Sequence, residues 1–292
     1  MQRSNIKYIL IGIMLMAFSR VSAQQYTYTQ YMDDLTPINS AFTLVKPGAF
    51  INTLVRKQWV GIPGAPTTYM LDGAFPVASV NGSVGLNAMN SVFAIEHLTT
   101  VNGFFAKAIQ LNDSYKLAVS MNVGLRTYMA NYSSVNATDP EFATNISETR
   151  PNVGFGAMLY TDVYFVGVSV PQIDVRTLGN ASLQESNFRN TYYLTAGYSS
   201  GIGNDLKFRN VGLLEYSRQV PLVFNLSSTM VVKEVFDIGV NYRSTNEVAG
   251  IISANFNSYH VGYSYEFGTT SSNIGGYSNA SHEVTLGYRF GK

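Results

Sequence analysis

Strict alternation of apolar and polar residues constrains this chain more than any other feature. Across residues 116–129, Leu117, Val119, Met121, Val123 and Leu125 share one parity, while Lys116, Ser120, Asn122, Gly124 and Arg126 share the other. Successive strand side chains point to opposite faces, so a period of two builds a sheet with one greasy and one polar face. The pattern returns in Phe236, Ile238, Val240 and Tyr242 against Asp237, Gly239, Asn241 and Arg243. It recurs in Tyr259, Val261, Tyr263, Tyr265 and Phe267, and closes the chain in Val284, Leu286, Tyr288 and Phe290.

A soluble sandwich also alternates, so the polar faces must decide what the greasy faces meet. They are rich in Gly, Ser, Asn and Thr with scattered charges, as a wet lumen requires, and aromatic residues cap many strands where interfacial girdles would lie. Only 13% of residues are charged, against 20 Tyr and 17 Phe. An Arg at the lipid midplane costs roughly 2 to 4 kcal/mol, so Arg126, Arg243 and Arg289 belong on the inward face. Past the N-terminal segment, no apolar run approaches the roughly 20 residues of a membrane helix. A membrane location therefore demands a closed barrel, which satisfies every backbone group in lipid.

The expected fold is an all-β, transmembrane, antiparallel up-and-down β-barrel of the outer membrane with about 14 strands. The strands are expected near residues 49–60, 67–77, 82–94, 98–110, 116–130, 152–161, 163–170, 190–199, 206–218, 221–232, 235–243, 247–256, 258–267 and 281–290. Connections after even strands are short, as at 78–81, 162, 233–234 and 257, whereas the long ones, 131–151, 171–189 and 268–280, follow odd strands. That parity is the one expected of a barrel with periplasmic termini and longer external loops.

Residues 1–23 have the order of a signal peptide. Arg3 and Lys7 are basic, an apolar run extends from Tyr8 to Phe18, and Val21, Ser22 and Ala23 offer a small-residue cleavage site. The mature chain is expected to start at Gln24, with residues 24–48 lying either in the periplasm or in the lumen as a plug, and 49–292 forming the barrel. Cysteine is absent, which removes disulfides, thiolate metal sites and cysteine nucleophiles. A net charge of +1 without a basic stripe argues against a nucleic-acid partner.

Catalytic chemistry finds little support, and the reading is of a non-enzyme without a metal or cofactor. The three histidines are His97, His260 and His282. A hydrolase would need a Ser-His-acid or Ser-His-amide set on neighbouring strands; a hairpin could bring only His260 and His282 together, and they read as ordinary lumen or rim residues. Asp33 and Asp34 read as a solvated turn rather than a calcium site. Gly154-Phe155-Gly156 lies inside an alternating strand with no following helix, so it reads as inward glycines that relieve crowding or allow curvature, not as a phosphate loop.

One segment does not follow from barrel physics. Arg56-Lys57-Gln58-Trp59-Val60-Gly61-Ile62-Pro63-Gly64-Ala65-Pro66-Thr67-Thr68 holds the only Trp, a charged patch and two Gly/Pro turns that stiffen the first external loop. Two readings of Trp59 stay open, an interfacial girdle residue beside a tight hairpin or an anchor in a protein-docking surface.

With this segment, the chain resembles the PorP/SprF family of type IX secretion system membrane proteins. The resemblance also rests on Gln30-Tyr31-Met32, Ile38-Asn39-Ser40-Ala41-Phe42, the run Tyr164 to Pro171, the run Tyr192 to Tyr198, and His282-Glu283-Val284. The family usually has Asn-Pro-Ala followed by an aromatic, Ala and Gly, where this chain has Asn39-Ser40-Ala41-Phe42-Thr43-Leu44, which puts the turn geometry there in question. The resemblance implies an outer-membrane barrel that exports or anchors cargo such as surface adhesins, recognised through a C-terminal domain. It also implies neighbouring periplasmic and outer-membrane secretion components, outer-membrane lipid as surroundings, and no catalytic residues. Arg56, Gln58, Trp59, Gly61, Pro63, Gly64 and Pro66 are the candidate partner-binding residues. The alternative function is an outer-membrane channel for small solutes, since an inward set of Gly, Ser, Asn and Thr can line a pore.

Overall fold

The computed structural model describes residues 28–134, 144–178, 186–202, 205–268 and 280–291; the expected signal peptide and its cleavage site lie outside them. The described residues form β1 (Phe50–Lys57), β2 (Thr67–Val77), β3 (Gly82–Phe93), β4 (Glu96–Gln110), β5 (Lys116–Ala130), β6 (Ile146–Tyr160) and β7 (Tyr164–Asp174). They continue with β8 (Thr191–Ile202), β9 (Leu206–Ser217), β10 (Val223–Val232), β11 (Phe236–Arg243), β12 (Glu247–Phe256), β13 (Tyr259–Gly268) and β14 (Ser281–Arg289). Every strand pairs antiparallel with its sequence neighbours, and β1 pairs with β14, from Phe50 opposite Arg289 to Lys57 opposite His282. The fold is a closed 14-stranded barrel without a free sheet edge, as the alternation predicts.

The barrel is inside out relative to a soluble protein. Val240, Ile238, Ile252, Leu226 and Leu125 are exposed on the outer wall, while Asn122, Asn241, Ser227 and Thr229 are buried on the lumen side of the same strands. Arg126 and Arg243 point inward, as the lipid penalty requires. Aromatic pairs mark two levels of the outer wall. Phe236–Phe256, Tyr259–Tyr288 and Phe75–Phe290 lie at the short-turn end, and Tyr192–Tyr216 and Phe224–Tyr242 at the long-loop end.

Four strand boundaries depart from expectation by three residues or more, one of them the end of β8, at Ile202 rather than 199. Two others do so because proline does not stop a strand where one neighbour is missing. β6 begins at Ile146 rather than 152 and carries Pro151; up to that point it pairs only with β5, since its ladder with β7 starts at Asn152 opposite Asp174. β7 likewise runs through Pro171 to Asp174, beyond its ladder with β8, which covers Tyr164 to Ser169. The fourth departure is β1, which ends at Lys57, so Trp59 lies in the loop and not in a strand. Its φ of 46° is a left-handed conformation that a strand does not accommodate.

Residues 28–48 occupy the lumen. Tyr31, Met32, Leu35, Ile38, Ala41 and Phe42 are buried against Leu54, Ala118, Met158, Tyr160, Val211, Leu213 and Ile251 of the wall. Within this plug, Ser40–Leu44 forms a short 3-10 helix with Asn39 as its cap, whose side-chain oxygen accepts from the Ala41 amide. A serine thus stands where the resembled family has proline, and a capped turn still forms.

Candidate functional site

The plug is tied to the wall by a buried ionic clamp near the long-loop end. The Glu283 carboxylate accepts from the Thr29 and Gln30 backbone amides, at 2.8 Å each. The Arg56 guanidinium donates to Thr29 Oγ1 at 2.6 Å, to both oxygens of Glu266 at 2.8 and 3.0 Å, and lies 3.4 Å from Glu283. Arg243 extends the network, 3.6 Å from Glu266 and 2.6 Å from Glu247, and its Nε donates to Asn225. The two carboxylates around Arg56 keep a buried guanidinium compensated, which an isolated buried charge would not be.

Nearer the short-turn end the plug makes a second charged contact. Arg209 pairs with Asp33, and Asp237 lies 3.4 Å from the same guanidinium. Burial pushes the Asp33 carboxyl up, but Arg209, helped by His260 and Lys46, more than offsets this and holds it below the usual carboxylate range. Asp34 caps the plug's own turn by accepting from the Thr36 amide at 2.8 Å and also accepts from the Asn52 side chain. On the β6–β7 side, Asn39 donates to the Ala157 and Val168 carbonyls at 3.2 and 3.3 Å, and Ser169 Oγ to the Ile38 carbonyl at 2.8 Å. Here the inward glycines have their reason: a Cβ on Gly156 would come within 2.2 Å of Asn39 Oδ1, and one on Gly262 within 2.2 Å of Gln30 Oε1.

The candidate partner-binding residues divide between lumen and rim. Arg56 is 1% exposed and faces the plug, so it is corrected from a partner contact to the centre of the clamp. Its position on the polar parity of β1 carries it inward. Gln58, Trp59, Gly61, Pro63, Gly64 and Pro66 form a compact loop. The Gln58 amide donates to the Pro66 carbonyl at 2.9 Å, Ile62 to Trp59 at 3.1 Å and Ala65 to Ile62 at 3.2 Å. This loop leans on its neighbours through Val60 N–H to Ala280 O at 3.0 Å and Ala94 N–H to Gly64 O at 2.8 Å. Gly61, Pro63 and Gly64 are exposed, Gln58 and Trp59 half-buried and Pro66 buried. Gly64 adopts φ 75°, and a Cβ there would press on Ala94 at 3.3 Å.

Other residues singled out in the sequence are dispersed. His260 faces the lumen at the short-turn end, 2.9 Å from Asn255 Oδ1, whereas His282 stands at the long-loop end with Tyr263 Oη at 2.8 Å, so the hairpin does not assemble a histidine pair. Phe188, in the long connection between β7 and β8, is 1% exposed, because it stacks 4.0 Å from the Arg150 guanidinium and 5.6 Å from that of Arg126. Sequence reasoning missed Glu266 and Glu283 as functional groups. Their signal was available: both lie on the inward parity of adjacent strands, and Glu283 is the cross-strand partner of Arg56.

Among the described residues, the lumen beside the plug holds a cavity of about 670 Å³ towards the short turns and one of about 490 Å³ towards the long loops. Among solved structures, the fold is similar to the outer membrane protein Omp33 of Acinetobacter baumannii, with a TM-score of 0.51 and 9% identity over 83% of this chain and 98% of that one. It is similar also to the monoaromatic hydrocarbon channel CymD, with a TM-score of 0.51 and 14% identity over 93% and 95% of the two chains. A FadL homologue of Pseudomonas aeruginosa gives a TM-score of 0.50 and 11% identity over 88% and 94%. At such identities the likeness concerns the fold alone, which is that of outer-membrane barrels. No curated protein matches the sequence significantly. The family model for type IX secretion system membrane protein PorP/SprF matches residues 21–288, and the chain belongs to that family.

Proposed function

We propose that this protein resides in the outer membrane, after cleavage of a signal peptide behind Ala23, and serves the type IX secretion system as a non-catalytic docking barrel for exported cargo. The long loops face outward, and cargo engages this face through its C-terminal domain while other secretion components contact the barrel from the membrane and the periplasm. The observation that carries the reading, beside family membership, is the plugged lumen: residues 28–48 bury an apolar core inside the barrel and are clamped to the wall at two levels. A barrel whose lumen is plugged by its own chain presents its rim, rather than an open pore, as its working surface.

The stiff first loop supports the assignment of Gln58, Trp59, Gly61, Pro63 and Gly64 to that surface. Internal hydrogen bonds and two prolines reduce the conformational freedom lost on binding, and Trp is among the residue types most enriched at interface hot spots. Pro66 holds the loop base, and Arg56 acts from below by seating the plug.

The test is affinity purification from detergent-solubilised outer membranes, with identification of co-purifying proteins for wild type and for Trp59→Ala. Cargo should be recovered with the wild type and reduced roughly tenfold or more with the folded variant, as loss of a hot-spot side chain implies. Equal recovery removes the first loop from the binding surface, and absence of any secretion component with the wild type contradicts the docking role.

A further inference from the structure

The lumenal face of β1, β2 and β3 is layered. Cross-strand register places Asn52, Asp72 and Asn87 at one level, Leu54, Met70 and Met89 at the next, and Arg56, Thr68 and Ser91 above them. An apolar row therefore separates two polar rows, between a cavity containing Asp33, Asp34, Asp72 and Arg209 and one containing Arg56, Arg126, Thr100 and Asn102. The two cavities meet at Tyr28 and Pro37 of the plug and Met70 of the wall, which line both. Tyr28 is buried, with its hydroxyl donating to the Asp34 carbonyl, while Met70 and Pro37 are only half-buried.

We infer that Tyr28, Pro37 and Met70 form a closed hydrophobic gate in the lumen, through which water and small inorganic ions pass when these side chains move while the plug stays seated. Apolar constrictions between wet compartments block conduction by dewetting, so a single layer of apolar side chains suffices to close a path that is hydrated on both sides. The thioether of Met70 has three rotatable bonds and moves without displacing backbone. Tyr28 is held by one hydrogen bond from its ring to the plug's own chain. The clamp at Glu283 and the Asn39 and Ser169 contacts lie outside the gate, so opening leaves them intact. This activity is independent of cargo docking and concerns the lumen alone.

The experiment is potassium chloride conductance of the purified full-length barrel in planar bilayers, combined with plug accessibility. Because the chain lacks cysteine, a Leu35→Cys background reports plug position through the reactivity of its single introduced thiol with a hydrophilic maleimide. Wild type should show no unitary steps. Met70→Asn, which wets the layer, and Tyr28→Ala, which opens it, should each give discrete steps roughly tenfold or more above the noise of wild type while the introduced thiol stays protected. Phe42→Ala, which enlarges the short-turn cavity where the ring meets Phe165 but leaves the shared layer untouched, should stay silent. Heat-modifiable gel migration confirms that each variant is folded, and Met89→Ser replaces either gate variant that is not. The inference is overturned if folded gate variants are as silent as wild type, if Phe42→Ala conducts equally, or if conductance appears only together with labelling of the plug thiol.

Discussion

The outer and lumenal faces of the same strands differ in what they must satisfy. Outside, Val240 meets lipid and needs only to be apolar; inside, its neighbour Asn241 is 2% exposed and donates to Ser227 Oγ, which in turn touches Met32 of the plug. The outer face is thus governed by transfer from water to hydrocarbon, which is insensitive to side-chain detail, whereas the lumen is governed by pairing of buried polar groups, which depends on individual partners. Substitutions on the two faces should therefore fail for different reasons and by different amounts.

The largest effect is expected from the lumen. Arg56→Ala leaves Glu266 and Glu283 buried without their guanidinium and should destabilise the barrel by about 3 to 5 kcal/mol, seen as a lower urea midpoint for heat-modifiable migration. Arg56→Lys, which keeps the charge but not the forked geometry, should recover only part of it. On the outer face, Val240→Arg should cost about 2 to 4 kcal/mol by placing a charge near mid-depth in lipid; the same urea titration in vesicles measures it, and Val240→Leu should be silent. A loss from Val240→Leu comparable to that from Val240→Arg would break the contrast between the faces.

A third effect tests the fit of plug to wall. Gly156→Val crowds Asn39 and Ser120 and should cost about 1 to 3 kcal/mol by overpacking, with more maleimide labelling of the plug thiol in the Leu35→Cys background. The smallest effect is on pH. The Asp33 carboxyl is held below its ordinary value, so its contribution is fully present above the unfolded pKa and is lost as pH falls through the folded one. Acidification below about pH 4 should lower the urea midpoint slightly more for wild type than for Asp33→Asn.

The same contrast explains what the sequence reveals. The outer face is legible because lipid imposes a period of two on every strand, and the β2, β5 and β12 bounds follow from alternation alone. The clamp is not legible in the same way, since Arg56 meets Glu266 and Glu283 across separations of 210 and 227 residues, a pairing visible only once β1 closes on β14. Arg56 reads as a strand-end residue and partner contact beside the first external loop, and strand parity instead turns it towards the plug. Trp59 reads as the end of a strand because nothing local announces its left-handed backbone. The placement of residues 28–48 stays open in the sequence because their apolar residues follow no single period, having a curved wall on several sides to contact.

Both the clamp and the contrast between the faces depend on a lumen occupied by the barrel's own N-terminal segment. Thr43 of the plug and Ser83 of β3 touch through their side-chain oxygens, and both are 3% exposed. A Thr43→Cys, Ser83→Cys double variant in native outer membranes tests that occupancy directly, because the chain has no other thiol. A seated plug predicts a disulfide on mild oxidation, visible as a reducible shift in unfolded gel migration, and little maleimide labelling beforehand. Two freely labelled thiols with no cross-link would contradict it.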